Sequence, residues 1–138
     1  MITKNNIIFI YGKAASFKST IGVSLINNCD NSCYINLEGN KHIKVNENVK
    51  VITCDDININ ALNFIKNSIK VYDTILIDYI QLLDIRKEEL LELIDLVRKN
   101  NKTLIIIGVC SSNKELISNN NYYEEIKNIT DLIILTEK

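Results

Sequence analysis

Short, uninterrupted apolar runs alternate along this chain with segments whose apolar residues recur at helical spacing. Ile7–Tyr11, Ser32–Leu37, Val49–Cys54, Thr74–Asp78 and Thr103–Val109 read as strands, with Leu132–Leu135 as a last one. Ser19–Asn28 carries Ile21, Val23, Leu25 and Ile26 and suits a buried helix. Asn60–Lys70 reads as a helix begun at the Asp55/Asp56 turn. Lys87–Asn100 sets Leu90, Leu91, Ile94 and Val97 along one stripe, with Glu88 and Glu89 early and Arg98 and Lys99 late, the charge order that suits a helix dipole. Tyr122–Asn128 is expected to add a short helix. Continuous apolar strands imply a sheet covered on both faces, and helices between them imply right-handed crossovers. The expected fold class is therefore α/β, a three-layer, mainly parallel sheet with helices on both faces.

Length and composition narrow this further. With 138 residues, 46% of them hydrophobic, the chain can bury one core but not two, so residues 1–138 are expected to form a single domain. It has no proline and only four glycines, which makes each glycine informative. Cys29, Cys33, Cys54 and Cys110 form no C-x-x-C pair and accompany a single histidine, so neither a zinc site nor a disulfide framework is expected. His42 reads as a surface histidine. No apolar run reaches the length of a membrane span or resembles a signal peptide, and a soluble, cytoplasmic protein without membrane partners is expected. The net charge of −1 is unevenly spread: Met1–Cys54 holds six lysines against three acids, and the remainder ten basic residues against fourteen acids. The positive part would favour an anionic ligand, yet it falls short of the basic stripe of an autonomous nucleic-acid binder.

The candidate anion site is Gly12-Lys13-Ala14-Ala15-Ser16-Phe17-Lys18-Ser19-Thr20, which has the spacing G-x-x-x-x-(G)-K-[ST] between an expected strand and an expected helix. In that context successive backbone N–H groups and the helix N-terminus face a β-phosphate. Lys18 would bring a point charge to the β/γ oxygens, and Ser19 would ligate Mg²⁺. ATP with Mg²⁺ is the expected ligand. Phe17 stands where the pattern has glycine, a position that often needs positive φ, and strain of about 1–3 kcal/mol is expected there. Weak, altered or lost nucleotide binding would follow; glycine at 17 is expected to tighten ATP binding and to lower fold stability slightly.

Two acids follow apolar strands. Asp78, after Thr74-Ile75-Leu76-Ile77, is placed to emerge beside a phosphate-bound Mg²⁺, the alternative being a turn or cap aspartate. Glu38, after Cys33-Tyr34-Ile35-Asn36-Leu37, could serve as general base on an attacking water; a solvent-facing glutamate before Gly39 is the competing reading. Ser111–Asn121 is either a mobile loop at the active edge or a merely solvated asparagine-rich loop.

These residues resemble the core of RecA-like ATPases, most closely the DnaB-type helicase motor and small phage recombination ATPases. Gly12 with Lys18-Ser19-Thr20 looks like the Walker A; Ile35-Asn36-Leu37-Glu38 looks like the strand ending in the catalytic glutamate; and Ile77-Asp78-Tyr79-Ile80-Gln81-Leu82-Leu83 is similar to the Walker B stretch. Leu104–Val109 with Cys110–Lys114 resembles the sensor strand, and Thr130–Leu135 the strand after it. Three departures stand out: Phe17, Ser111 in place of the usual polar sensor, and no residues past Lys138 for the hairpin that bears the family's arginine finger. The resemblance implies a slow ATPase in DNA replication or recombination, acting as a homo-oligomer or beside a protein partner through which nucleic acid could be reached. The alternatives are a P-loop scaffold or regulator that has lost the chemistry, and a ParA/MinD-like ATPase, which Gly12-Lys13 also resembles.

Overall fold

The computed structural model describes residues 7–12, 17–37, 44–53, 61–78, 85–109 and 128–136. Among these residues six strands and three helices follow in the order β1 (Ile7–Gly12), α1 (Lys18–Ile26), β2 (Ser32–Asn36), β3 (Val49–Thr53), α2 (Ala61–Val71), β4 (Thr74–Asp78), α3 (Lys87–Lys99), β5 (Thr103–Val109) and β6 (Leu132–Thr136). They match the elements expected from the apolar runs to within two residues at each described end. The short helix expected at Tyr122–Asn128 lies outside the described residues up to its last one, Asn128, which sits in a turn.

All strand pairs are parallel, in the order β3-β2-β4-β5-β1-β6. Alternate residues of each strand serve opposite faces. On one face Ile7, Phe9, Cys33, Ile35, Ile75, Ile77, Leu104 and Ile106 pack with α2 and α3. On the other Ile8, Ile10, Tyr34, Leu76, Ile105 and Ile107 pack with Val23 and Ile26 of α1. The result is three layers, and it explains the apolar runs, because a strand covered twice has no face left for polar residues.

Helix α1 lies close on the sheet because Gly22 has no side chain: a Cβ there would come within 3.0 Å of Ile107 Cδ1 and 3.1 Å of Leu76 Cδ1. Helix α3 buries Leu90, Leu93, Ile94 and Val97 and leaves Leu91 exposed. The buried stripe thus runs i, i+3, i+4, i+7, with Leu93 in the place where the sequence suggested Leu91. α3 ends in a left-handed residue, Asn101 at φ 56°, and the Lys102 N–H donates to Val97 O while the Asn101 N–H donates to Arg98 O. That is a Schellman closure with asparagine in the usual glycine position. In a chain with so few glycines, Asn31 at φ 52° fills a similar role before β2.

The amino ends of the strands are tied together by charge. Asp131 Oδ2 accepts the Ile7 N–H at 2.7 Å, and Arg98 donates to Ile129 O at 2.7 Å and to Asp131 Oδ1 at 3.4 Å. Lys102 pairs with Asp73 at 3.1 Å. Cys29 and Cys33 are free thiols; desolvation pushes the buried Cys33 thiol up to about 12, only partly opposed by Lys50, which leaves it an inert part of the core. No helix among the described residues is long and apolar enough to cross a membrane.

Candidate nucleotide-binding site

The carboxyl ends of the central strands carry the candidate chemistry. β1 delivers Gly12 to this edge, where it lies between Val109 of β5 and Thr136 of β6. After residues 13–16, outside the described set, Phe17 starts α1 at φ 64°, ψ 23°, in the left-handed region. The pattern's demand for a glycine-like conformation is therefore met by a phenylalanine. Its ring is 68% exposed, so it gains little from packing to offset the strain.

The first turn of a helix leaves its leading N–H groups without intrahelical acceptors. At α3, Glu88 and Glu89 occupy that turn, and Glu89 Oε1 accepts the Arg86 backbone N–H at 2.9 Å. That bond and the Arg86 side chain hold the Glu89 carboxyl below its usual range. Helix α1 has neither device: no side chain caps it from Phe17 and its first turn holds no acid. It holds Lys18 instead, with the side chain largely buried. A helix start with no acid and a lysine in its first turn has the polarity that suits an anion.

Period two along β4 turns Asp78, like Leu76, to the α1 face, and Asp78 is fully buried. Ser19 Oγ donates to Asp78 Oδ2 in a short hydrogen bond across the intervening strand β5. Tyr34, on the neighbouring strand β2, donates its hydroxyl to the same oxygen at 2.9 Å. Asp78 Oδ1 is buried and has no partner among the described residues. Burial pushes the Asp78 carboxyl above its ordinary value, opposed by the Ser19 and Tyr34 hydrogen bonds and by the charge of Lys18.

An unpaired buried carboxylate oxygen costs about 1–3 kcal/mol or more, and it needs a reason. A hydrated Mg²⁺ held by a phosphate would supply one, its waters donating to Oδ1 while Ser19 offers its oxygen. The residues present fit such an ion. No group of three or more His, Cys, Asp or Glu side chains gathers among the described residues, so any ion would depend on phosphate and water for the remainder of its shell.

Of the residues singled out in the sequence, the fold brings Gly12, Phe17, Lys18, Ser19, Thr20 and Asp78 to one edge. Lys13, Ala14, Ala15, Ser16, Glu38, His42, Tyr79–Leu83 and Cys110–Asn121 lie outside the described residues. Leu37, which precedes Glu38, donates its N–H to Asp78 O at 2.6 Å, so β2 leaves the sheet alongside Asp78. Arg98 is occupied by Ile129 and Asp131 at the opposite edge. Tyr34 was not singled out; its one signal was a hydroxyl inside an apolar run, which must find a partner when buried.

No protein-family model matches the sequence, and no curated protein matches it. Solved structures are. The chain superposes on the RadB recombinase with a TM-score of 0.58 at 16% identity, covering 78% of this chain and 62% of that one. It superposes on the flagellar accessory protein FlaH from Methanocaldococcus jannaschii with a TM-score of 0.68 at 14% identity, covering 99% of this chain and 73% of that one. The fold is RecA-like. In this RecA-like sheet β5 separates β1, which leads to α1, from β4, which carries Asp78, and α1 spans that gap to join Ser19 to Asp78. The chain spans less than two thirds of the RadB length.

Proposed function

We propose that this chain binds ATP with Mg²⁺ at the loop Gly12–Thr20 and hydrolyses it slowly, as a single RecA-like domain working in DNA replication or recombination. The observation that carries the binding reading is the unpaired, buried Oδ1 of Asp78, next to Ser19 and Lys18 at an uncapped helix N-terminus. Lys18 neutralises phosphate charge, Ser19 and Asp78 hold the ion directly and through water, and Glu38 activates the attacking water. Slow turnover is expected because the chain has only two arginines: Arg98 is bound at the far edge, and Arg86 bonds Glu89 at the start of α3. The nucleic-acid role rests on the likeness to a recombinase and on the Ile77-Asp78-Tyr79-Ile80-Gln81-Leu82 run. Copies of this chain or a protein partner would supply what it lacks, nucleic acid being reached through them.

One observation favours a second reading, a P-loop scaffold that binds a protein partner and no nucleotide: the exposed, left-handed Phe17 at the head of α1. Thermal melting separates the two. Mg·ATP at one hundred times its Kd should stabilise the folded chain by about 2.7 kcal/mol. Lys18→Ala should lose that rise in Tm. An unsubstituted chain whose Tm does not move in millimolar Mg·ATP is the scaffold.

A further inference from the structure

Resting on the nucleotide reading above, we infer that Tyr34 is a positioning residue for Asp78, its hydroxyl fixing which carboxylate oxygen is left for the metal's water shell. An ionised carboxylate offers about four lone-pair positions on two oxygens. Among the described residues two hydroxyl donors, Ser19 Oγ and Tyr34 Oη, sit on Oδ2, and Oδ1 has none. The donors come from different elements, α1 and β2, so between them they set the rotation of the carboxylate about its Cβ–Cγ bond. Ser19 is not an independent anchor, since its oxygen is also the one offered to the ion. Tyr34 is independent: it sits on an inner strand beside Leu76 of β4, 1% exposed, in the buried cluster that also holds Val23 and Ile26.

The hydroxyl therefore holds the carboxylate still while Ser19 turns from an apo partner into a metal ligand. Without it, Oδ2 retains a single donor and the carboxylate can rotate, so the orientation the ion needs must be selected at each binding event. That loss should appear in metal dependence and not in nucleotide affinity as such.

The test is calorimetric titration of the full chain with ATP, first in excess EDTA and then across a series of Mg²⁺ concentrations. Tyr34→Phe keeps the ring and should bind ATP in EDTA as the unsubstituted chain does. Its requirement for Mg²⁺, read as the concentration giving half the metal-dependent gain in affinity, should rise about three- to tenfold, the worth of one hydrogen bond. Ile26→Val thins the same apolar cluster and leaves the hydroxyl in place; it should lower Tm without moving that Mg²⁺ midpoint. An unmoved midpoint in Tyr34→Phe overturns the assignment, and so does an equal shift in Ile26→Val, which would make the effect one of packing. Absence of any Mg²⁺ effect in the unsubstituted chain overturns the nucleotide reading itself, and the positioning role with it.

Discussion

The two ends of the sheet are built on opposite principles. At the amino ends of the strands charges are matched: Asp131 takes the Ile7 N–H and Arg98, Asp73 takes Lys102, and the backbones of Asn31, Asp73 and Thr103 bond one another in turn. At the carboxyl ends a fully buried aspartate keeps an unpaired oxygen, a helix starts uncapped, and a phenylalanine holds a conformation that suits glycine. α1 and α3 repeat the contrast, the one lacking first-turn acids and the other closed by Glu89. One end is spent on holding strands together. The other keeps, among the described residues, a buried carboxylate oxygen unpaired and a strained backbone at Phe17, features that suit the charged ligand proposed above.

Substitutions at each end should have opposite consequences. The largest effect is expected at the tied end. Asp131→Ala removes the charged acceptor of a buried backbone N–H and the partner of Arg98, and should cost about 2–3 kcal/mol in urea unfolding. Its Tm should still rise with Mg·ATP; a lost response would mean that the two ends are not independent.

At the open end, Asp78→Asn should do the reverse. Burial holds the Asp78 carboxyl above its ordinary value, so between that value, about 4, and the raised one the folded chain keeps a proton the unfolded chain has lost. Stability from this group thus falls as pH rises through that window. The uncharged Asn has no such fall. Ligand-free Asp78→Asn should therefore melt above the unsubstituted chain at neutral pH, with the gap closing as pH drops toward the ordinary carboxyl value, and its ATP affinity should lose its dependence on Mg²⁺. A lower Tm at neutral pH would make Asp78 a structural residue, and the contrast between the ends would be gone.

The smallest effect is expected at Phe17. Left-handed backbone costs an L-residue roughly 1–2 kcal/mol, which glycine relieves, while its greater unfolded-state entropy takes back about 0.4–1 kcal/mol of that gain. The sequence suggests that glycine here lowers stability slightly, through greater unfolded-chain entropy and lost ring packing. The ring is largely exposed, so the sign reverses: Phe17→Gly should gain less than about 1 kcal/mol. ATP should bind up to about tenfold more tightly, as calorimetry would show. Distinctly weaker binding would mean that the ring covers the nucleotide.

Much of this was legible in the sequence. Doubly covered strands announce themselves as apolar runs, and a strand, a G-x-x-x-x-x-K-S loop and a helix in succession locate Gly12, Lys18 and Ser19. The αL backbone at Phe17 follows from its place in that pattern, because the loop geometry imposes it whatever the side chain. Leu91 and Leu93 both lie near the edge of the stripe, and only packing against the sheet decides that Leu93 turns inward. Leu132, Ile133 and Leu135 form an apolar run like the other strands but are exposed, β6 being the last strand of the sheet among the described residues.

Local chemistry, then, was enough to say what kind of element each segment forms and which residues lead each strand and helix, because periodicity and turn residues act over a few positions. It could not say that β2 lies beside β4, so that a tyrosine at position 34 meets an aspartate at position 78, or that α1 crosses β5 to bring Ser19 to the same oxygen. Strand order, and with it the pairing of groups far apart in the chain, comes from how whole faces bury against one another, and no single segment carries that information.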